Sequence, residues 1–114
     1  MDRKLTEYQA VVQNLLTERV DWINGSKRDG IDCITVFDEK QGHYFVHTIG
    51  WRDIERIWTT SLYIRLADDK IWIEIDWTEE GFANELLAAG VPREDIVLAF
   101  HHPRERKYTE FAVA

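Results

Sequence analysis

The chain has 114 residues, of which 45% are hydrophobic and 31% charged, a mix that excludes disorder and predicts one globular domain over residues 1–114. Its 14 Lys plus Arg against 21 Asp plus Glu give a net charge of −7, which opposes direct binding to a phosphate backbone, where cationic side chains must displace counterions. Cys33 is the only cysteine, so an internal disulfide and a cysteine-rich zinc site are excluded, and one thiol fits a reducing cytoplasm.

"MDRKLTEYQ" opens with charges and leads into no apolar segment of signal-peptide type. No apolar run approaches the roughly 18 residues that would cross a bilayer. The expectation is a cytoplasmic protein without membrane contact.

Residues 3–23 place Leu5, Tyr8, Val12, Leu15, Leu16, Val20 and Ile23 at steps of three and four, which makes one stripe on a helix. "NGSKRDG" breaks it as a loop. "IDCITVFD" and "HYFVHTIG", separated by "EKQG", predict a hairpin of β-branched and aromatic strands. "IERIWTTSLYIRL" is long enough for a third strand that bends or bulges. "KIWIEIDW" alternates, so Ile71, Ile73 and Ile75 are expected on one face and Trp72, Glu74 and Asp76 on the other.

A second helix is predicted from Thr78 as N-cap, with Glu79 and Glu80 in the first turn, where the dipole favours carboxylates. Phe82, Ala83, Leu86 and Leu87 form its inward stripe, and Gly90 with Pro92 ends it. "IVLAF" reads as a strand buried on both faces, ended at His102-Pro103. The order α-β-β-β-β-α-β does not alternate helices with strands, so an α+β fold follows: a mainly antiparallel sheet with helices on one side. Five tryptophans exceed what so small a core hides, which predicts an exposed aromatic patch.

Catalytic arrangements find little support. His43 and His47 share a strand face but stand about 13 Å apart, and neighbours His101 and His102 point to opposite faces, so neither pair chelates alone. His101 is expected to hydrogen-bond inside the fold, with His102 at the rim. Asp95 with Glu105-Arg106-Lys107 mimics the Asp and Glu-x-Lys of metal-dependent nucleases, yet no convergence on one Mg²⁺ is predicted. Glu74 and Asp76, roughly 7 Å apart on one strand face, would be the carboxylates of a metal-dependent hydrolase aided by a histidine, the weakest of three readings. Cys33 reads as a small core residue. Ser26 and Ser61 lack a nucleophile elbow, and Gly25 and Gly30 lack phosphate-loop spacing. No catalytic residue, metal ligand or cofactor is expected.

Two surfaces are candidates for binding. Asp68, Asp69, Glu74, Asp76, Glu79, Glu80 and Glu85 crowd one stretch against a single base, Lys70. That stretch is either a solvated face or a docking surface for a basic partner. In the second case Trp72, Glu74, Asp76, Trp77, Glu79, Glu80 and Glu85 form the interface, anchored by the two tryptophans. Arg104, Arg106 and Lys107 beside Tyr108 offer an alternative DNA contact, but Glu105 and Glu110 cancel much of their charge. Paired with carboxylates, the same residues are architecture, and "FAVA" is then an apolar tail tucked against the body or a second subunit.

From Lys70 onward the wording carries a resemblance. Lys70-Ile71-Trp72-Ile73, Asp76, Thr78-Glu79, Gly81, Glu85-Leu86, Gly90, Pro92, Glu94-Asp95-Ile96-Val97-Leu98, Phe100-His101, Pro103, Arg106, Tyr108-Thr109 and the closing Phe111-Ala112-Val113-Ala114 resemble the XisI family, the fdxN-element excision controlling factors of cyanobacteria. A helix near Tyr8, "VFDE" at residues 36–39 and Gly50-Trp51 extend the match more loosely. The chain departs from the family pattern at Ile75, Trp77, Ala99 and His102. The resemblance implies a non-catalytic accessory to DNA rearrangement during heterocyst differentiation, paired with an XisH-type companion similar to restriction nucleases. It implies contact with nucleic acid only through that companion. Apart from the resemblance, the five tryptophans and apolar tail point to a homo-oligomer.

Overall fold

The computed structural model describes residues 3–26 and 30–114; Lys27, Arg28 and Asp29 of the expected loop lie outside the described residues. Helix α1 (Arg3–Gly25) leads into strands β1 (Ile31–Asp38), β2 (His43–Arg52), β3 (Glu55–Ala67) and β4 (Lys70–Asp76). Helix α2 (Phe82–Ala88) then precedes β5 (Ile96–Leu98). The five strands form one sheet in chain order, antiparallel throughout except for the β4–β5 pair. The α+β architecture and element order agree with the sequence expectation.

One core holds the molecule together. Tyr8, Val12, Leu16 and Val20 of α1 and Phe82, Ala83 and Leu86 of α2 pack with Cys33, Tyr44, Val46, Leu62, Ile64, Leu66, Ile71, Ile73 and Ile96. Both helices therefore lie on one face of the sheet, because a half-apolar helix and a half-apolar sheet bury their stripes only against each other. Truncating a fully enclosed member such as Leu16 or Leu86 to alanine would cost about 2–5 kcal/mol. The α1 stripe thins at its ends, where Leu5 and Ile23 are exposed.

Turns are set by local chemistry. The β1–β2 turn closes on Asp38, whose carbonyl accepts from Gly42 N at 2.8 Å and whose Oδ1 accepts from Gln41 N at 3.0 Å. Gly42 has φ 78°, and a Cβ there would meet the Leu66 carbonyl oxygen at 2.6 Å, so only glycine fits. Asp68 and Asp69 turn β3 into β4 with φ of 55° and 60°, a conformation that a short carboxylate side chain tolerates better than most.

Two register shifts decide which residues face the core. Between β2 and β3, Val46 pairs with Leu62 but His47 with Thr60, making Ser61 an extra residue in the long third strand. Between β3 and β4, Ile64 pairs with Ile73 but Tyr63 with Ile75, so Glu74 is extra. A bulge inverts the alternation beyond it. Ile71 and Ile73 face the helices as expected. Contrary to the sequence reading, Ile75 shares the open face with Tyr63, and Asp76 turns to the helix side opposite Leu62.

The last strand also differs. β5 stops at Leu98, its Ile96 and Val97 enclosed on opposite faces. Ala99 and Phe100 turn away, with His101 N bonded to Leu98 O at 3.1 Å. Phe100 is exposed, and His101 lies outside the fold against the Phe100 ring rather than inside it. The tail returns as an extra strand segment: Ala112 bridges to Val97 in parallel, and Ala112 N donates to Ile96 O at 2.8 Å. Phe111 packs on the core, so the tail shields the β5 edge.

The start of α1 is fastened to the turn before β5. Tyr8 donates its hydroxyl hydrogen to Asp95, which is almost wholly buried, and Lys4 Nζ stands 3.0 Å from the same carboxylate. Burial alone would raise the Asp95 pKa, but the bonds from Tyr8 and Lys4 and the charges of Lys4 and Lys70 outweigh it and hold the carboxyl below its ordinary value. The carboxylate's contribution is therefore complete above the unfolded-state value of about 3.9 and vanishes as pH falls through the lower folded-state value. Asp95→Asn is expected to lower stability near neutral pH by about 1–3 kcal/mol, with the difference from the natural chain shrinking in acid. Urea unfolding across a pH series measures both.

Candidate functional site

The junction between β4 and α2 is organised by Asp76. Its Oδ1 accepts from Thr78 N at 2.9 Å and from Thr78 Oγ1 at 2.6 Å, and its Oδ2 accepts from Phe82 N at 2.7 Å. Thr78 Oγ1 in turn accepts from Gly81 N at 3.1 Å. The helix starts at Phe82 with Gly81 (φ 89°) as its boundary residue, later than expected. Thr78 is therefore not the N-cap, and Glu79 and Glu80 precede the helix instead of lying in its first turn. Asp76 does the capping from the end of the strand, because the bulge at Glu74 aims it there.

This junction forms one wall of an open groove of about 690 Å³, whose other wall is α1. Thr78, Glu79, Glu80, Gly81, Asn84 and Glu85 line the first wall, and Arg19 and Trp22 the second. Arg19 pairs with Glu85 across the groove, joining the two helices, and its Nε is enclosed without a hydrogen-bond partner. Trp22 is 76% exposed. It sits off the Tyr8/Val12/Leu16/Val20 stripe, and that offset was the signal available in the sequence for an aromatic with no place in the core. Glu79 and Glu80 are exposed at the rim.

The seven acids of residues 68–85 do not make one surface. Asp68 and Asp69 lie at the far end of β4, about 23–26 Å along the chain from Asp76 at ~3.3 Å per residue. Glu74 accepts from Arg65 Nε at 3.0 Å on the open face, Asp76 caps α2, and Glu85 meets Arg19. Glu74 and Asp76 face opposite sides of the sheet and cannot share a cation. Of the two tryptophans expected as anchors, Trp77 is 80% exposed but Trp72 only 9%. Trp72 donates Nε1–H to Ala67 O at 2.9 Å, and the guanidinium carbons of Arg65 and Arg106 lie over its ring at 4.8 and 5.7 Å.

The C-terminal cations are divided. Arg106 is directed inward, donating to Ala99 O and His101 O at 3.1 Å each, while Arg104 is exposed and Lys107 lies against the Tyr108 ring. One of the two arginines of the alternative DNA contact, Arg106, therefore fastens the segment after β5. His102 Nδ1 accepts from Arg104 N at 3.1 Å. Asp95 is buried against Tyr8 and Lys4, whereas Glu105 is exposed, so the nuclease-like pair does not converge. Among the described residues no three His, Cys, Asp or Glu side chains are grouped to hold a metal, and no helix is long and apolar enough to cross a membrane. Burial pushes the Cys33 thiol up from its ordinary pKa, as befits a core residue.

Removing the Asp76 carboxylate strips three donors of their acceptor and unseats the first turn of α2. Asp76→Ala is expected to cost about 1–2 kcal/mol, read in thermal unfolding as a Tm lower by roughly 4–8 °C.

Known proteins place this arrangement in a family. The model of the XisI protein family matches residues 1–113. A XisI-like protein from Anabaena variabilis, solved by crystallography, superposes with a TM-score of 0.91 at 34% identity, covering 96% of this chain and 99% of that one. The fdxN element excision controlling factor XisI from Anabaena variabilis superposes with a TM-score of 0.83 at 37% identity, covering 97% and 99%. No protein of curated function matches the chain. Family model, identity and shared fold agree over nearly the whole length, and the chain belongs to the XisI family.

Proposed function

We propose that this protein is a non-catalytic controlling factor for excision of a DNA element, acting by binding a basic protein partner of the XisH, nuclease-like kind. Its relative from Anabaena variabilis is an fdxN element excision controlling factor, which supports the process. The observation that carries the mode of action is the groove between α1 and the β4–α2 junction. An exposed indole, Trp22, faces a wall carrying Glu79, Glu80 and Glu85.

Such a groove suits a Lys- or Arg-bearing segment. The carboxylates at the rim steer a cation inward, and the indole gives its stem and charge a face to lie on. Glu85 holds Arg19 already, so Glu79 and Glu80 are the carboxylates left to a partner. Trp77, beside the same junction, extends the surface, and Asp76 supports it by holding the start of α2, while Trp72 and Glu74 lie with Arg65 on the opposite side of the sheet. Binding here would mask or orient the partner without any bond being made or broken by this chain. Contact with DNA through Arg104, Arg106 and Lys107 is less favoured, because Arg106 is engaged within the fold and the molecule carries −7 overall.

The test is copurification with an XisH-type companion protein, followed by titration. Glu79→Lys with Glu80→Lys, and separately Trp22→Ala, are each expected to weaken binding at least tenfold while leaving the circular dichroism spectrum unchanged. Binding of the natural chain should also weaken with added salt. Undiminished affinity in both variants would remove the groove from the account, and a salt-dependent shift of duplex DNA by the purified protein alone would favour the DNA reading.

A further inference from the structure

Among the described residues, the side of the sheet opposite the helices carries no covering element over β1–β3. Register places Ile34 and Val36 of β1, Phe45, His47 and Ile49 of β2, and Trp58 and Tyr63 of β3 on this face. Phe45 stacks between two rings, its centroid 4.3 Å from that of Tyr63 and 5.3 Å from that of His47, with interplanar angles of 19° and 14°. His43 continues the row, its Nδ1 2.8 Å from the Tyr63 hydroxyl, while Thr60 Oγ1 lies 2.8 Å from His47 Nδ1. The rings are thus fixed in place by one another and by hydrogen bonds within the face.

Around this row the apolar side chains are open. Val36 is 43% exposed, Trp51 52% and Trp58 79%, and Ile54 at the β2–β3 turn 89%. The hairpin overhangs the sheet: β1 reaches only to Gly50 of β2, and β4 begins its pairing with β3 at Leu62. A contiguous apolar and aromatic surface of this kind is uncommon on a protein that has no partner for it.

We propose that this open sheet face is the contact between two copies of this chain, packed face to face as a two-layer sandwich about a twofold axis. Charge selects the occupant. With −7 on the whole molecule, two copies repel over most of their surfaces. On this face, however, Asp32, Asp38 and Glu74 stand against Arg56, Arg65 and Arg106, three carboxylates to three guanidiniums. Arg65 is paired with Glu74, and Arg56 lies over the Trp51 ring at 5.3 Å. The face is therefore neutral and its cations are engaged, which disfavours a phosphate backbone and leaves a second neutral, ring-bearing surface as the matching partner.

Size agrees. Three strands about 4.8 Å apart and averaging about ten residues project roughly 500 Å², and side-chain relief with the overhanging hairpin brings that toward the ~800 Å² each partner of a standard interface buries. The proposal does not depend on the groove, which lies on the other side of the sheet.

Sedimentation velocity on the full chain over a wide concentration range tests it. The natural protein is expected to run as a dimer at micromolar concentration. Val36→Glu and Trp58→Glu, both at exposed positions, should each halve the mass while circular dichroism and Tm hold, whereas Ala10→Lys on the outer side of α1 should leave the dimer intact. A monomer at all concentrations, a dimer that survives both face substitutions, or one that dissolves with Ala10→Lys would overturn the proposal. Because partner binding at the groove is read separately in the Glu79 and Glu80 variants, failure of one proposal does not imply failure of the other.

Discussion

One extra residue in β4 governs how the rest of the molecule is arranged. Glu74 interrupts the alternation of its strand, and every side chain beyond it exchanges faces. Asp76 is thereby delivered to the helix side, where its two oxygens hold Thr78 and the first turn of α2. Ile75 is delivered to the open side, next to Tyr63. Without the inversion, a carboxylate would face the aromatic row and an isoleucine would occupy the place from which the helix is capped.

The consequence is a molecule with two dissimilar sides. On one, α1 and α2 cover the sheet, and Arg19 joined to Glu85 leaves a groove with an acidic rim. On the other, rings from β2 and β3 form an ordered row that no described element covers. The β4–β5 end of that side is sheltered, where Arg65 and Arg106 lie over Trp72 and the tail returns to Val97. The terminal stretch that follows β5 is thus mainly a fastening, with its arginine serving backbone carbonyls. Both proposed contacts depend on rigid sheet and helix, which suits recognition by shape and polarity.

Much of this was legible in the sequence, and the exceptions have a common cause. The α1 stripe, the hairpin, the long third strand, the stop at Gly90 and the docked tail follow from periodicity and turn chemistry, which are local. The conclusion that five tryptophans could not all be hidden was also sound, since four are exposed. What misled was the regularity of Ile71-Trp72-Ile73-Glu74-Ile75-Asp76: its alternation is faultless, and a bulge leaves no mark in such a string because pairing with β3 decides it. From that one error followed the misplaced cap at Thr78 and the carboxylate pair at Glu74 and Asp76; Trp72 keeps its expected face, but Arg65 and Arg106 cover it. The end of β5 was misjudged for a related reason, as the Arg106 contacts to Ala99 and His101 come from residues further along the chain. Trp22 was missed because attention to the apolar stripe passes over what lies beside it.

The inversion at Glu74 is the claim on which both surfaces rest, and nuclear Overhauser contacts from the Ile75 methyl groups test it most directly. Contacts to the Tyr63 ring, together with an Asp76-dependent downfield Phe82 amide, are the predicted result. Contacts from those methyls to Leu16, Leu62 or Leu86 in the core would contradict it, and the two-sided account would fall with it.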